Sequence, residues 1–509
     1  MAETAVHLPR EMDGQSDPES AQPVTSGRSM KSRMAVGSAW ALAGYFIAQV
    51  LRLATNLILQ RLLLPEVFGT MAIVAVFQQG LAMFSDVGIG PSIIQHSSGD
   101  QRLFLRTAYT IQAIRGLALW MCSALVAIPV YLAGGADVGV VLPIAGVTAF
   151  IAGFNSTALF TQQRQVALGR VTLLNLGTQA IASVVIIAWA VLSPSVWASV
   201  ASGIASTLFL AVLGHFAWGT KGHRDGFAWD PASARELVRF GRWIFLSTVL
   251  AFLSSQGDKL IFAPLIPRNL LGVYNNAATM AGAPTAAMLM LANSVLFPAL
   301  SSKAREQGSL AGVFDRARVP VLWLSATMTA GLIASGPSFV HLLYAKAFVG
   351  ADWMVRLLAV IGFLQILECT VGAALLALGH SRQIAVYCAI KLIGMVVLIP
   401  IGYKFFGFEG AMYGLIGAEA LKYAGAAVSG LRVGLDVFVR DFWAMALASA
   451  AAASGIAAGA AVASAGAPLW GRFLFEGSVV LLICGLAGLY LAPDVRVRLL
   501  GMLKRGEPS

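Results

Sequence analysis

Ionisable side chains set deep in apolar sequence are the first places to look for chemistry, and this chain has several. Arg52 closes the run GYFIAQVLR, Arg115 lies in TIQAIRGLAL, Asp258 and Lys259 stand side by side in LSSQGDKLIF, and Lys391 interrupts VYCAIKLIG. Glu368, Glu419 and Lys422 have similarly apolar surroundings. Fixed cations can hold anions, arginine bidentately, and carboxylates can accept protons from hydroxyls or ammonium groups. Placing any such group at the centre of a membrane helix costs roughly 2.5–3.5 kcal/mol. Each therefore needs an ion partner, a wet cavity, or an interface its head can reach by snorkelling, which is the expectation for Arg356 near the end of its run. Successive helical residues project about 100° apart, so Asp258 and Lys259 are expected to face different ways. Glu419 and Lys422, at i,i+3, share a face and are expected to neutralise one another.

The elements that hold these residues are apolar helices. Of 509 residues 58% are hydrophobic and only 12% charged, with a mean hydropathy of +0.77. About a quarter charged is usual for a soluble domain, so lipid must solvate most of this chain and the fold class is an all-α polytopic membrane protein. The formal charge of +11 excludes little by itself. In a membrane protein it reflects cations gathered in cytoplasmic loops rather than a nucleic-acid partner. Cys122, Cys369, Cys388 and Cys484 all lie inside apolar runs, and the histidines are scattered. No metal site and no cofactor is expected.

Runs of about twenty apolar residues mark about 14 transmembrane helices between residues 36 and 492. With the N-terminus in the cytoplasm, 24 of the lysines and arginines fall in inside segments and 5 outside, namely Arg61, Arg268, Lys346, Lys404 and Arg472. That bias supports an even number of spans with both termini cytoplasmic. The expected divisions are a disordered tail (1–35), a six-helix bundle (36–217), a linker (218–242), a second six-helix bundle (243–431), two additional spans (442–466 and 473–492) and a tail (493–509). In the linker, Asp230 and Pro231 read as N-cap and first residue of an interfacial helix. The outer loops are all short, which leaves no external domain for catalysis.

Two stretches six spans apart look alike. GSAWALAGYFIAQVLRLATNLILQRLLLPEVFG (37–69) and GRWIFLSTVLAFLSSQGDKLIFAPLIPRNLLG (241–272) both start on glycine, carry charge deep in the span and end in leucines, a proline and a glycine. Pro65 and Pro267 are expected to stop each helix at the outer face, with Gly69 and Gly272 opening the next. The pattern implies two six-helix bundles related by a pseudo-two-fold repeat, an architecture that places substrate between the halves. Gln78, Gln79, Asn275 and Asn276 occupy corresponding hairpin positions and are expected mainly to bridge helices. Gly455 and Gly459, among alanines, imply close helix packing.

The segment LQRLLLPEVFGTMAIVAVFQQGLAMFSDVGIGPSIIQ (59–95), with Leu63, Pro65, Glu66, Phe68 and Gly69 followed by Asp86, Gly88 and Gly90, resembles the first hairpin of bacterial polysaccharide exporters. These are the Wzx-type flippases of the multidrug/oligosaccharidyl-lipid/polysaccharide superfamily. NSVLFPALSSKAREQGSL (293–310), which contains Pro298, resembles the matching segment of the second half. The resemblance implies movement of a polyprenyl-pyrophosphate-linked oligosaccharide across the bacterial inner membrane by alternating access, for exopolysaccharide or lipopolysaccharide synthesis. It implies membrane lipids and other polysaccharide-assembly proteins as partners, and a transporter rather than an enzyme. It also places Arg52, Arg115, Lys259 and Lys391 as cations lining a wet cavity for the pyrophosphate, with Asp258 and Glu419 available to sugar hydroxyls. Asp86, Gly88, Gly90, Pro65, Gly69 and Pro298 become candidate gate or hinge positions. Twelve spans is the commoner count in the superfamily, so the last two are additions.

A peptidoglycan-precursor flippase or a cation-coupled multidrug antiporter shares this architecture; a polymerase or glycosyltransferase fits less well, lacking outer catalytic loops. No Walker motif is present, so this chain does not hydrolyse ATP through one. Replacing Arg115 with Gln is expected to abolish export while folded protein stays in the membrane. Undiminished export, measured as polymer at the cell surface, removes Arg115 from the set.

Overall fold

Backbone polar groups in lipid must be satisfied within the chain, which leaves helices or closed barrels. The computed structural model describes residues 30–85, 89–95, 101–133, 135–164, 168–216, 225–292, 296, 300–301 and 310–491, and among these it is helical with no strand. The long helices are α1 (Met30–Leu62), α2 (Pro65–Ser85), α3 (Arg102–Leu132), α4 (Ala136–Ala152), α5 (Leu168–Leu192) and α6 (Trp197–Phe216) in the first half. The second half holds α7 (Pro231–Leu265), α8 (Arg268–Leu291), α9 (Leu310–Leu343) and α10 (Asp352–Ala377). It continues through one long element, Ser381–Arg432, in which Phe406 and Gly407 leave helical geometry, Gly407 at a φ of 61°. That break makes two helices, α11 (381–405) and α12 (408–432). α13 (Phe438–Ser464) and α14 (Leu469–Leu491) follow.

Nine described helices are long and apolar enough to cross a membrane, Ser381–Arg432 among them as a double span. α4 is shorter, at 17 residues, and α1, α7 and α8 are more polar. Together these account for about 14 spans.

The two halves repeat each other in packing as well as in pattern. α1 packs on α5 and α2 on α4, as α7 packs on the α11–α12 element and α8 on α10; α3 on α4 matches α9 on α10. One face of the molecule carries the short turns at 63–64, 193–196 and 266–267, and the opposite, long-loop face carries the described connections at 153–157, 225–230 and 433–437.

The halves meet most closely where α2 crosses α8 at the short-turn face. A Cβ on Gly69 would collide with the Arg268 carbonyl oxygen, and one on Gly272 with that of Pro65. Two glycines in symmetric positions thus let backbone rest on backbone. This revises the expectation for these residues: Pro65 is the first residue of α2 and Pro267 the N-cap of α8, so the glycines lie one turn inside their helices. The Gln60 amide donates to Asn276 Oδ1 across the halves at 3.2 Å. An apolar cluster that includes Leu59, Leu63, Phe68, Phe262, Leu271 and Phe348 closes around the crossing. Towards the long-loop face, Phe84 of α2 packs on Phe245 and Phe252 of α7, with ring centroids 5.7 and 5.4 Å apart.

The described part of the linker is held to the first half. Ser156 and Thr157 hydroxyls donate to Asp225 at 2.5 and 2.6 Å, and the Ala228 amide donates to Thr110 at 3.1 Å. Asp230 caps the start of α7 by accepting from the Ser233 amide. The Ser233 hydroxyl and amide hold the Asp230 carboxyl below its ordinary pKa. α7 then runs unbroken from Pro231 to Leu265, so the interfacial segment and span seven are one helix.

α13 and α14 pack on α9. The fully buried Arg318 guanidinium of α9 meets Asp441 of α13 at 2.9 Å and donates to Thr370 of α10 at 2.8 Å. Tyr423 of α12 donates to the same Asp441 at 2.6 Å. A Cβ on Gly455 would press on Ala334 of α9, and one on Gly459 would clash with the Glu476 side chain of α14.

Changing Gly69 to Ala is expected to force α2 off α8. The destabilisation should be about 1–3 kcal/mol, the usual scale for overpacking, measured by denaturant unfolding in detergent micelles. Wild-type stability in G69A contradicts so close a crossing.

Candidate functional site

Glu419 lies about eleven residues into α12, roughly 16 Å along the helix, near the middle of a hydrocarbon layer about 30 Å thick. It is completely buried, and Lys391 of α11 is 4% exposed. Their Nζ–Oε2 distance is 2.8 Å. Gln365 of α10 donates to the same carboxylate at 3.3 Å. One turn along α12, Lys422 meets Glu368 of α10 at 2.7 Å and stands 3.8 Å from the other oxygen of Glu419. Two acids and two cations therefore alternate across α10, α11 and α12. Burying one such ion alone costs several kcal/mol, and pairing with further hydrogen bonds offsets the cost.

Beside this cluster is a cavity of about 170 Å³, lined wholly by the second half. α7 contributes Asp258 and Lys259, α8 contributes Tyr274, and Gln365, Lys391 and Glu419 form the opposite wall. The Tyr274 hydroxyl donates to Asp258. Asp258 and Lys259 make no ion pair among the described residues. The lining thus carries two cations and two carboxylates, a balanced set able to donate to and accept from hydroxyls. An anion at this site would meet carboxylates as well as ammonium groups.

Four of the six candidates named from sequence, Asp258, Lys259, Lys391 and Glu419, come together here. Asp258 and Lys259 both line the hollow, although successive helical residues project about 100° apart. The expected pair of Glu419 with Lys422 is present at 3.8 Å, but each has a closer partner on a neighbouring helix, at 2.8 and 2.7 Å. Arg52 is exposed on α1 and Arg115 half-buried in α3; neither lines this cavity. A lining made only of cations is therefore not what the structure gathers.

Among the gate candidates, Asp86, Gly88 and Pro298 lie outside the described residues, and Gly90 is buried in the short helix Ile89–Gln95. Pro65 and Gly69 sit at the crossing of the halves. Asn276 bridges α1 and α8, as expected, and Gln78 packs against Gly203 of α6. Sequence reasoning missed Tyr274 and Gln365, whose polar groups are unremarkable until the fold turns them inward. Arg318 is one of the 24 cations assigned to inside segments, yet the fold buries it completely. The signal available there was an aspartate, Asp441, placed among VFVRDFWAM beside a run of alanines.

Replacing Lys391 with Met should leave Glu419 buried without its nearest cation, at a cost of about 3–5 kcal/mol. Adding Glu419→Gln should recover most of the loss in thermal unfolding of the purified chain. Additive effects of the two changes refute coupling.

Similarity to known proteins fits this architecture. Residues 58–352 match the family model described as "Polysaccharide biosynthesis protein". The chain is 21% identical over 392 residues to "Lipopolysaccharide biosynthesis protein WzxC" of Escherichia coli (strain K12), covering 76% of this chain and 79% of that protein. In fold it is similar to a solved structure of "Lipid II flippase MurJ, inward closed conformation", with a TM-score of 0.69, 13% identity and coverage of 89% and 98% of the two chains. An inward-facing multidrug resistance MATE family transporter of the MOP superfamily aligns with a TM-score of 0.57 and 14% identity, over 81% and 96% of the chains. At such identities the structural likenesses speak for the fold alone. The family match spans more than half of the chain and crosses from the first bundle into the second: this multi-pass membrane protein belongs to the polysaccharide biosynthesis protein family.

Proposed function

We propose that this chain is a flippase that moves polyprenyl-pyrophosphate-linked polysaccharide repeat units across the bacterial inner membrane by alternating access. The observation that carries the reading is the intramembrane cavity of Asp258, Lys259, Gln365, Lys391 and Glu419, set in a two-bundle chain of the polysaccharide biosynthesis family. A hydrophilic sugar chain cannot cross hydrocarbon unaided, because each desolvated hydroxyl needs a hydrogen-bond partner. A lining of paired charges and amides offers such partners without a large net field. The polyprenyl tail stays in lipid, and Arg52 and Arg115 serve the pyrophosphate from the first half.

In the state described, about 170 Å³ is too little for an oligosaccharide, since organic ligands usually occupy roughly 300–1,000 Å³. The Gly69–Gly272 crossing closes the short-turn face and the Phe84 cluster narrows the other. Transport therefore requires the halves to separate at one end and then the other, the cavity widening between them. This reading puts both termini in the cytoplasm and the short turns outside, which the charge bias of the loops supports.

A second reading, cation-coupled antiport, is favoured by one feature. Asp258 has no cation partner among the described residues, and it faces the cavity with only the Tyr274 hydroxyl on it. Coupling ions in transporters bind such carboxylates.

The test is reconstitution into liposomes with lipid-linked oligosaccharide, read by a sugar-oxidising reagent confined to one leaflet. The wild-type chain should speed equilibration between leaflets, and Asp258→Asn should slow it about tenfold or more. No acceleration with several different oligosaccharides, combined with gradient-driven uptake of an organic cation, overturns the flippase in favour of the antiporter.

A further inference from the structure

A second, larger hollow lies at the short-turn face, on the far side of the crossing from the intramembrane cavity. The first turns of α2 and α8, the end of α3, the start of α4 and the turn before α6 surround about 900 Å³. That volume lies within the range of organic ligand sites, roughly 300–1,000 Å³.

The lining is mixed in a particular way. Tyr131 and Trp197 supply flat aromatic faces with polar edges. Glu66 and Asp137 supply acceptors, Arg268 and Asn269 donors. These charges differ from those of the intramembrane cluster, since Glu66, Asp137 and Arg268 form no ion pair among the described residues. The Arg268 Nη1 atom is buried and has no hydrogen-bond partner, an uncommon state for a buried donor. Asn269 Oδ1 accepts from the Leu270 amide at 2.8 Å, which leaves the side-chain NH₂ to donate outward.

Aromatic faces beside carboxylates, a guanidinium and an amide suit one class of ligand best. A sugar ring presents C–H bonds on its faces and hydroxyls around its edge, and each hydroxyl can both donate and accept. A phosphate or uronate would meet two carboxylates for one guanidinium, and a metal ion would meet the guanidinium. We propose that this vestibule is a binding subsite for a neutral saccharide, holding the sugar chain as it emerges from between the halves. The inference rests on the flippase reading.

Its position links binding to opening. The Arg268 carbonyl is the atom against which Gly69 closes, while the guanidinium of the same residue lines the vestibule. A saccharide held on Arg268 and Asn269 therefore sits on the residues that must part when the halves separate at this face. The vestibule would keep the sugar end at the membrane surface, in reach of the glycosyl-transfer reaction that lengthens such units.

The experiment uses the full chain in nanodiscs with lipid-free maltotriose, cellotriose and chitotriose as neutral probes and trigalacturonate as the anionic one. Binding is read by saturation-transfer NMR and calorimetry. At least one neutral trisaccharide should bind saturably, and Arg268→Ala and Trp197→Ala should each weaken it about tenfold. Trp197→Phe, which keeps an aromatic face, should weaken it less. Arg170→Gln, exposed at the start of α5 on the opposite face, should not change it. Thermal unfolding checks that each variant is folded, and Glu66→Gln replaces any that is not.

Absence of neutral binding up to the solubility of the probes, or tighter binding of trigalacturonate, overturns the proposal. If the same wild-type chain still moves lipid-linked oligosaccharide between leaflets, only the vestibule falls. If it binds the probes and moves nothing, the flippase reading falls instead.

Discussion

Everything in this molecule is arranged around one contact, the place where α2 and α8 cross with a glycine from each against the backbone of the other. Without side chains between them, the two helices hold the halves at a fixed distance at one face, and the apolar cluster around Phe68, Phe262 and Phe348 keeps lipid and water out. The intramembrane cavity exists on one side of this closure and the vestibule on the other. At the crossing itself backbone meets backbone, so opening it parts small residues there and unpacks large side chains such as Phe68 from Phe348 around it.

Electrostatics imposes the second constraint. The low dielectric of the membrane interior forbids lone charges, so the second half satisfies its own: Lys391 with Glu419, and Lys422 with Glu368. These pairs tie α10, α11 and α12 into a block that can carry polar groups at mid-depth. Tyr274 donates to Asp258 from the neighbouring α8, so that carboxylate is hydrogen-bonded although it is not ion-paired. The first half has no equivalent cluster among its described residues. The repeat in packing between the halves is therefore not a repeat in chemistry.

Much of this was legible in the sequence. Span count, the hairpin repeat and the six-helix offset follow from hydropathy, proline and glycine, which act locally and at fixed spacing. The depth of Asp258, Lys259, Lys391 and Glu419 was equally plain, and four such residues do share a hollow. What could not be read was which charge meets which. Lys422 is 3.8 Å from Glu419, three residues before it, but its closer partner is Glu368, more than fifty positions away, and nothing in periodicity reports contacts between helices. Arg318 shows the same limit: its sequence context, ARVPVL, looks like the foot of a span, yet the fold buries it completely. Whether Arg52 and Arg115 join the lining depends on helix rotation, which amphipathicity fixes poorly when lipid and protein are both apolar, and the structure leaves both out of it.

The Arg318–Asp441 bond also makes the last two helices hard to remove. It joins the twelve-helix core to the appended pair through a guanidinium with no exposure to solvent, and Thr370 and Tyr423 are drawn into the same knot. Truncation after residue 437 would leave that buried cation without its carboxylate, held by Thr370 and the Leu367 carbonyl, so the two helices act as a counterion for the core as well as a cover.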